Sequence, residues 1–282
     1  MAGQNPGAPE SEVSDVNVAR EPVGRALDVL AWIADHQSEP LVVRKIARDL
    51  DTSPSTIHRI FGTFQDRHLI ARDEDGEYIT GLELYRICAL IASELSLARI
   101  AHTHLKELSR ETSETTLFGT YDPGRRQMMF IDRVEAPHPL RYVVDVHRWM
   151  PVHAGATGLA ILAFLPPEER QLIYKAGLES LTPDTLVSEP ELEAELERVR
   201  RQGYAHSISQ RVQGAVGFAA PVFDSTGLIC GDICVTLPVQ RFAAGEFADS
   251  LAATLVAAGQ RVTRDLKAVG YRTAIHTSGG AP

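Results

Sequence analysis

Residues 52–64 read TSPSTIHRIFGTF, and the spacing of their apolar side chains decides how the first part of the chain folds. Ile57, Ile60, Phe61 and Phe64 recur at intervals of three and four, so at about 100° per residue they form one buried stripe of a helix. Ser53 suits the N-cap and Pro54 the first helical turn. Ser55, Arg59 and Gly62 then point directly outward, with Thr56, His58 and Thr63 on the flanks. An arginine can pair with guanine or grip a phosphate, and hydroxyls at a helix start bond phosphate oxygens. Glycine permits close approach, and the free N–H groups of the first turn attract anions. A solvated surface helix with a single arginine has the same pattern, so two readings remain open here.

The flanking sequence sets this helix in a module. EPVGRALDVLAWIADHQ places Val23, Leu27, Leu30 and Ala34 on one stripe, predicting a first helix. LVVRKIARDL places Val43, Ile46, Ala47 and Leu50 on one face of a second. After the TSPS helix, LIARDEDGEYIT reads as two short strands around the turn DEDG. This order predicts a winged helix-turn-helix over residues 21–81, preceded by a disordered leader, 1–20. Leu84, Ile87, Cys88, Ile91 and Leu95 predict a linker helix over 82–97, covered either by another subunit or by the second domain of the same chain.

Beyond it the pattern is mixed. TTLFGTYD, QMMFIDRVE, LRYVVDVH, VGFAAPVFD and LICGDICVTL read as strands; GATGLAILAFL, PEERQLIYKAG, EPELEAELERVRRQG and GEFADSLAATLVAAGQRVTRDLKAV read as helices. Hairpins mixed with helices imply an α+β fold, an antiparallel sheet with packed helices over 98–270, followed by a flexible tail, 271–282.

The net charge of −9 argues against indiscriminate coating of nucleic acid. From Leu41 to Arg72, however, six cations (Arg44, Lys45, Arg48, Arg59, Arg67, Arg72) against three aspartates (Asp49, Asp51, Asp66) give a local +3. No apolar run approaches the roughly 20 residues of a membrane span, and the N-terminus lacks the basic start and apolar core of a secretory signal. Three cysteines fit no disulfide framework and point to a cytoplasmic protein. Cys230 and Cys234 are not a CxxC pair; strand parity would put them on one face, as core residues or as a redox pair. His102 and His104 diverge on a helix and make poor joint metal ligands, while Glu168 and Glu169 look like a solvated helix start. No GxSxG, HExxH, CxxC or GxGxxG element is present, so neither an enzyme, a metal site nor a cofactor is expected. In HAGATGLAILAF the amides of Ala156, Thr157 and Gly158 are placed to hold a carboxylate; alternatively, the small residues only let a helix pack closely.

GRALDVL, IARDL followed by SPSTIHRI, and the wing ending YITG closely resemble the N-terminal domain of IclR-type transcriptional regulators. MPVHAGATGLAILAFLPPEE, RRQGYAHS and GFAAPVFDSTG resemble that family's effector domain in the same order, so the likeness runs from about Glu21 to Val269. It implies a GAF-like or profilin-like C-terminal sheet, a homodimer or homotetramer, and a near-palindromic double-stranded operator as partner. It carries operator contact onto Arg25, Ser53, Pro54, Ser55, Thr56 and Arg59, with Arg44, His58, Thr63 and wing residue Arg72 beside them. It carries effector contact onto Ala156, Thr157, Gly158, Ser207, Gly217, Cys234 and Thr236, with His147 and His153 at the entrance. Where members that bind the smallest keto acids have an acidic residue and a cysteine, this chain has Ser207 and Gly217, and Cys234 and Thr236 stand at hydroxyl positions. A roomier, less polar pocket for an aromatic or longer carboxylic acid is implied. The expected function is a repressor of a catabolic operon released by such an acid; the alternatives are a regulator without a ligand, whose second domain only oligomerises, and an enzyme with a dispersed active site.

Overall fold

A computed structural model describes residues 22–273 apart from 38, 95, 140 and 143. The chain divides after Glu94 into two units.

The first unit contains α1 (Pro22–Asp35), α2 (Val43–Asp49), α3 (Pro54–Asp66), the hairpin β1 (Ile70–Arg72) and β2 (Tyr78–Thr80), and α4 (Leu82–Glu94). The strands pair antiparallel, with Arg72 opposite Tyr78. Ile57, Ile60, Phe61 and Phe64 are all buried, and Ile46 and Ala47 of α2 join them in one core. This is the winged helix-turn-helix expected from the sequence.

Helix α1 turns differently from the expected stripe. Val29, Trp32 and Ile33 are its buried residues, whereas Val23 and Leu27 are 68% and 59% exposed and Ala34 also faces solvent. The i, i+4 spacing fits both faces; Trp32 decides between them. Its indole N–H donates to Asp49 of α2 at 3.2 Å and its ring stacks on His36 at 4.1 Å. On α4, Leu84 and Ile87 are half-buried, while Cys88 and Ile91 are exposed. Leu95, the end of the expected linker stripe, lies outside the described residues, as do the leader and residues 274–282.

The second unit opens with α5 (Ser96–Thr112) and builds a six-stranded sheet, entirely antiparallel, in the order β5-β4-β3-β8-β7-β6. Its strands are β3 (Thr115–Asp122), β4 (Gln127–Val134), β5 (Met150–Pro151), β6 (Ala205–Ile208), β7 (Ala215–Phe223) and β8 (Ile229–Pro238). Helices α6 (Gly155–Leu162), α7 (Pro167–Ala176) and α8 (Glu189–Gln202) cover one face. Helix α5 and the long α9 (Glu246–Ala268) cover the other, so two apolar cores sandwich the sheet.

Two expectations for this unit are corrected. The described residues between 140 and 147 form no strand. They run as a loop held by single bonds: the His147 amide to the Phe130 carbonyl at 2.7 Å, Tyr142 hydroxyl to the Gln213 carbonyl at 3.1 Å, and Arg133 to the Val144 carbonyl. The alternation of Tyr142, Val144 and Val146 reflects one-sided burial without a ladder, because the neighbouring strand β4 pairs with β5 instead. Residues 271–273, placed by the sequence in a flexible tail, are tied to the unit. Tyr271 packs into the α5/α9 core, Ser225 donates to its carbonyl, and the Thr273 amide reaches Asp224 at 2.9 Å.

Two glycines separate close packing from free space. A Cβ at Gly158 would lie 2.1 Å from the Val152 carbonyl oxygen, whereas one at exposed Gly62 would meet nothing within 4 Å. Gly158→Ala should therefore cost about 1–3 kcal/mol, and Gly62→Ala should add about 0.5–1 kcal/mol by favouring the helix. Urea unfolding of the two variants checks the opposite signs.

Candidate functional sites: an exposed helix face and an enclosed cavity

The first site is the solvent face of α3. Ser53 caps the helix from extended backbone, accepting the Thr56 amide at 3.1 Å. Its hydroxyl also lies 2.8 Å from that of Ser55 and 2.9 Å from that of Thr56, so three hydroxyls cluster at the helix start. Pro54, Ser55, His58, Arg59 and Thr63 are exposed, and the Thr63 hydroxyl donates back to the Arg59 carbonyl. Arg44 on α2 is exposed as well, and Arg25 on α1 is half-buried. Arg72, the expected wing residue, is exposed on β1. Its guanidinium donates to the Gly76 carbonyl and to the Tyr78 hydroxyl at 2.7 Å and lies over the Tyr78 ring at 4.0 Å. It braces a wing whose tip, Asp73–Glu74–Asp75, is acidic. The cationic face of this unit is carried instead by α2 and α3.

The second site is a cavity of about 500 Å³ between the sheet and the start of α6, within the range of small-molecule sites. Leu117, Phe130, Val144, Trp149, Met150 and Val235 supply apolar wall. Of the seven expected effector residues, Ala156, Thr157, Ser207, Gly217, Cys234 and Thr236 all line it. Gly158 does not, because its Cα faces the Val152 carbonyl behind the helix. Gly217 enlarges the space: a side chain there would meet the Ala156 Cβ at 3.2 Å and Ser207 Oγ at 3.4 Å. Helix α6 has no side-chain cap, which leaves its first amides for a ligand.

His147 and His153 do not line this cavity. His153 is buried, meets the Glu179 carbonyl at 2.9 Å and has its imidazole pKa lowered by burial. It borders a smaller space of about 190 Å³ with Arg125 and Arg126.

The sequence reading missed Gln210 and Arg211, which lie in the connection between β6 and β7, and the exposed pair Arg148 and Asp145, 3.8 Å apart at the cavity wall. Arg211 Nη2 donates to the carbonyls of Pro151 at 2.8 Å and Ala154 at 2.5 Å and touches Met128 Sδ at 3.5 Å. Burial pulls its guanidinium down to about 10, which leaves it cationic at neutral pH. Gln210 Oε1 is buried with no hydrogen-bond partner. Asp232 on β8, fully buried, has its carboxyl pushed up to about 8 by burial, against the opposing pull of Thr157 and Arg211. No periodicity marks a polar residue in an irregular connection, so only a lone charge inside an otherwise uncharged stretch, SISQRVQGAV, hinted at Arg211.

The remaining candidates separate. Cys230 is the extra residue of a bulge, where Val222 pairs with Gly231 but Phe223 with Ile229. That bulge reverses strand parity, sending Cys230 into the α5/α9 core and Cys234 to the cavity, so the pair cannot join. His102 and His104 each meet a different aspartate, Asp132 and Asp265, both at 2.8 Å. Among the described residues no cluster of three metal-ligating side chains occurs, and no helix is long and apolar enough to cross a membrane. Glu169 accepts the Tyr121 hydroxyl at 2.7 Å.

Comparison with known proteins matches residues 22–74 to the IclR helix-turn-helix domain and residues 89–264 to the bacterial transcriptional regulator IclR C-terminal domain. The transcriptional repressor IclR of Escherichia coli K12 is 27% identical over 219 residues, 77% of this chain and 80% of that protein. The HTH-type transcriptional regulator Rv1719 of Mycobacterium tuberculosis is 30% identical over 221 residues, 78% and 83% of the two chains. The structure of an IclR homologue from Microbacterium hydrocarbonoxydans complexed with 4-hydroxybenzoate superposes with a TM-score of 0.76, at 23% identity, over 88% of this chain and 100% of that one.

The capping geometry makes a specific demand on stability. Ser53→Ala removes the side-chain acceptor of the Thr56 amide, leaving it the Ser53 carbonyl at 3.0 Å, and should cost about 1 kcal/mol, read as a lower unfolding midpoint in a denaturant titration.

Proposed function

Because the chain belongs to the IclR family of bacterial transcriptional regulators, and is a DNA-binding regulator rather than an enzyme, we propose that it is a repressor released from its operator by a carboxylic acid. The observation that carries the DNA half is the face of α3: one exposed arginine, a hydroxyl cluster at the helix start and a glycine, all opposite a fully buried stripe. Arg59 reads a base, Ser53, Ser55 and Thr56 bond phosphate, and Arg25, Arg44, His58 and Thr63 flank the contact. Arg72 contributes by holding the wing in shape.

Residues 21–81 form the reading module, 82–97 the link and 98–270 the sensing module. The protein works as a homo-oligomer, a dimer or a pair of dimers. Exposed Val23 and Leu27 on α1, and Leu82 and Tyr85 on α4 at 85% and 74% exposure, supply apolar surface for self-association. Two α3 helices related by a two-fold axis then meet successive major grooves about 34 Å apart, which suits a near-palindromic site.

The cavity supports a ligand larger than the smallest keto acids. Its volume, its apolar walls and the room left by Gly217 accept an aromatic or longer acid, with a carboxylate at the uncapped start of α6. The ligand of the Microbacterium homologue is an acid of this kind. A catabolic operon for such acids is the fitting target. The alternative of a ligand-free oligomerisation domain predicts no stabilisation by any acid in a thermal-shift screen.

Arg59→Ala should weaken operator binding by about 1–3 kcal/mol and relax discrimination at one base position. Fluorescence anisotropy with the chain's own upstream promoter, at fixed salt, checks it; unchanged affinity refutes the assignment.

A further inference from the structure

Arg211 is a buried cation with donors to spare. Nη2 is held by the carbonyls of Pro151 and Ala154, while Nε and Nη1 have no hydrogen-bond partner among the described residues. No carboxylate lies within ion-pairing distance of this guanidinium among the described residues; the acidic group that interacts with it is Asp232. Asp232 sits opposite Gly119 of β3 and Pro221 of β7, with 0% exposure and neither oxygen in a hydrogen bond of normal geometry. Gly119 makes the room for it, since a Cβ there would lie 2.2 Å from Asp232 Oδ1.

The groups facing Asp232 are Arg211 from the β6–β7 connection, Cys234 on its own strand, and the Thr157 hydroxyl and Gly119 amide from α6 and β3. Burial, followed by Asp232 itself, raises the Cys234 thiol, so Cys234 stays neutral. Arg211 is therefore the charged partner that decides the state of this carboxyl. A buried guanidinium without a nearby anion is costly, and two anions around one cation at low dielectric exclude each other.

We propose that Arg211 anchors the carboxylate of the effector and that the bound anion replaces Asp232 as the counter-charge of that guanidinium. This rests on reading the cavity as the effector site. Asp232 is then neutral in the complex, and ionisation of Asp232 opposes binding. The site takes one carboxylate on an apolar body, and Gln210 Oε1, an acceptor without a donor, suits a hydroxyl on that body.

The sign with pH follows from the group that titrates. A simple carboxylic acid is ionised throughout pH 7–9, whereas Asp232, pushed up to about 8, loses its proton across that range. Affinity therefore falls as pH rises, by about tenfold between pH 7 and pH 9 when the two anions exclude each other fully.

The test uses the full chain and isothermal titration calorimetry with benzoate, 4-hydroxybenzoate and phenylacetate, each beside its neutral amide. Wild type should bind at least one acid, prefer it to the amide, and lose about tenfold in affinity over this interval. Asp232→Asn should match wild type at pH 7 and stay flat to pH 9, and any slope left in it belongs to the ligand. Arg211→Gln, which keeps a donor for the Pro151 and Ala154 carbonyls, should lose tenfold or more and its preference for acid over amide. Arg211→Lys should retain that preference, and melting temperatures confirm that each variant is folded. Arg211→Gln binding the acid as wild type does, or a wild-type profile as flat as that of Asp232→Asn, overturns the proposal and leaves the effector reading standing. Failure of every acid to bind overturns both.

Discussion

The geometry at the start of α6 is the constraint on which the second unit depends. Gly155 has a φ of 75°, a conformation that side chains rarely adopt, and a Cβ there would press on Arg211 Cβ and Nε, both at 3.2 Å. Arg211 crosses this glycine and ties the carbonyls of Pro151 and Ala154, on the strand and turn that lead into the helix. Gly158 then seats against the Val152 carbonyl. Each contact requires the others: without the glycines the arginine cannot pass, and without the arginine two carbonyls at the cavity edge lose their donor. The result is an uncapped helix start and a guanidinium sharing one cavity.

The sheet beneath supplies the second condition, two faces with different duties. The bulge at Cys230 changes which residues of β8 point where, so that Asp232, Cys234 and Thr236 face the α6 side while Ile233, Val235 and Leu237 enter the α5/α9 core. That second core is apolar and continuous, and it leaves the cavity side free to carry glycine, serine and threonine without unfolding the unit. Cavity and structural core are thus separated by one strand thickness. Leu117 lines the cavity, and its neighbour Thr116 donates to the Leu105 carbonyl of α5 at 3.0 Å on the opposite side.

How much of this was legible in the sequence depended on whether a signal was periodic. The α3 stripe was readable residue by residue, because four apolar side chains at strict helical spacing left no second face to choose. The stripe on α1 was misread because Val23/Leu27 and Val29/Trp32/Ile33 both fit helical spacing, and only the partner of Trp32, Asp49 on another helix, separates them. LRYVVDVH alternates like a strand, yet alternation reports one-sided burial and not a ladder. The cysteine parity argument failed on one inserted residue. Small residues around the cavity were found through the family resemblance, but Arg211, Gln210 and Asp232 have no spacing that marks them. Their importance comes from burial, which a sequence does not print.

The charges on the first unit also bear on how an acidic chain can bind DNA. Most of its carboxylates are exposed on the surface, and the wing tip adds three more, so long-range attraction to DNA is weak and a short-range fit has to do the selecting. On α2, Lys45 pairs with Glu39 and Arg48 with Asp49 at 2.9 Å, while Arg44 beside them and Arg59 on α3 carry no such partner. Neutralising the neighbours concentrates the positive face onto few side chains, which favours discrimination over tight nonspecific binding. In the cavity Arg211 is the buried cation, its nearest acidic neighbour largely protonated at neutral pH, while Arg148 at the exposed wall pairs with Asp145 at 3.8 Å. In both units a positive charge is kept and its counter-ion withheld among the described residues. An anion supplied from outside then gains more than it would at a surface already paired with its own acids.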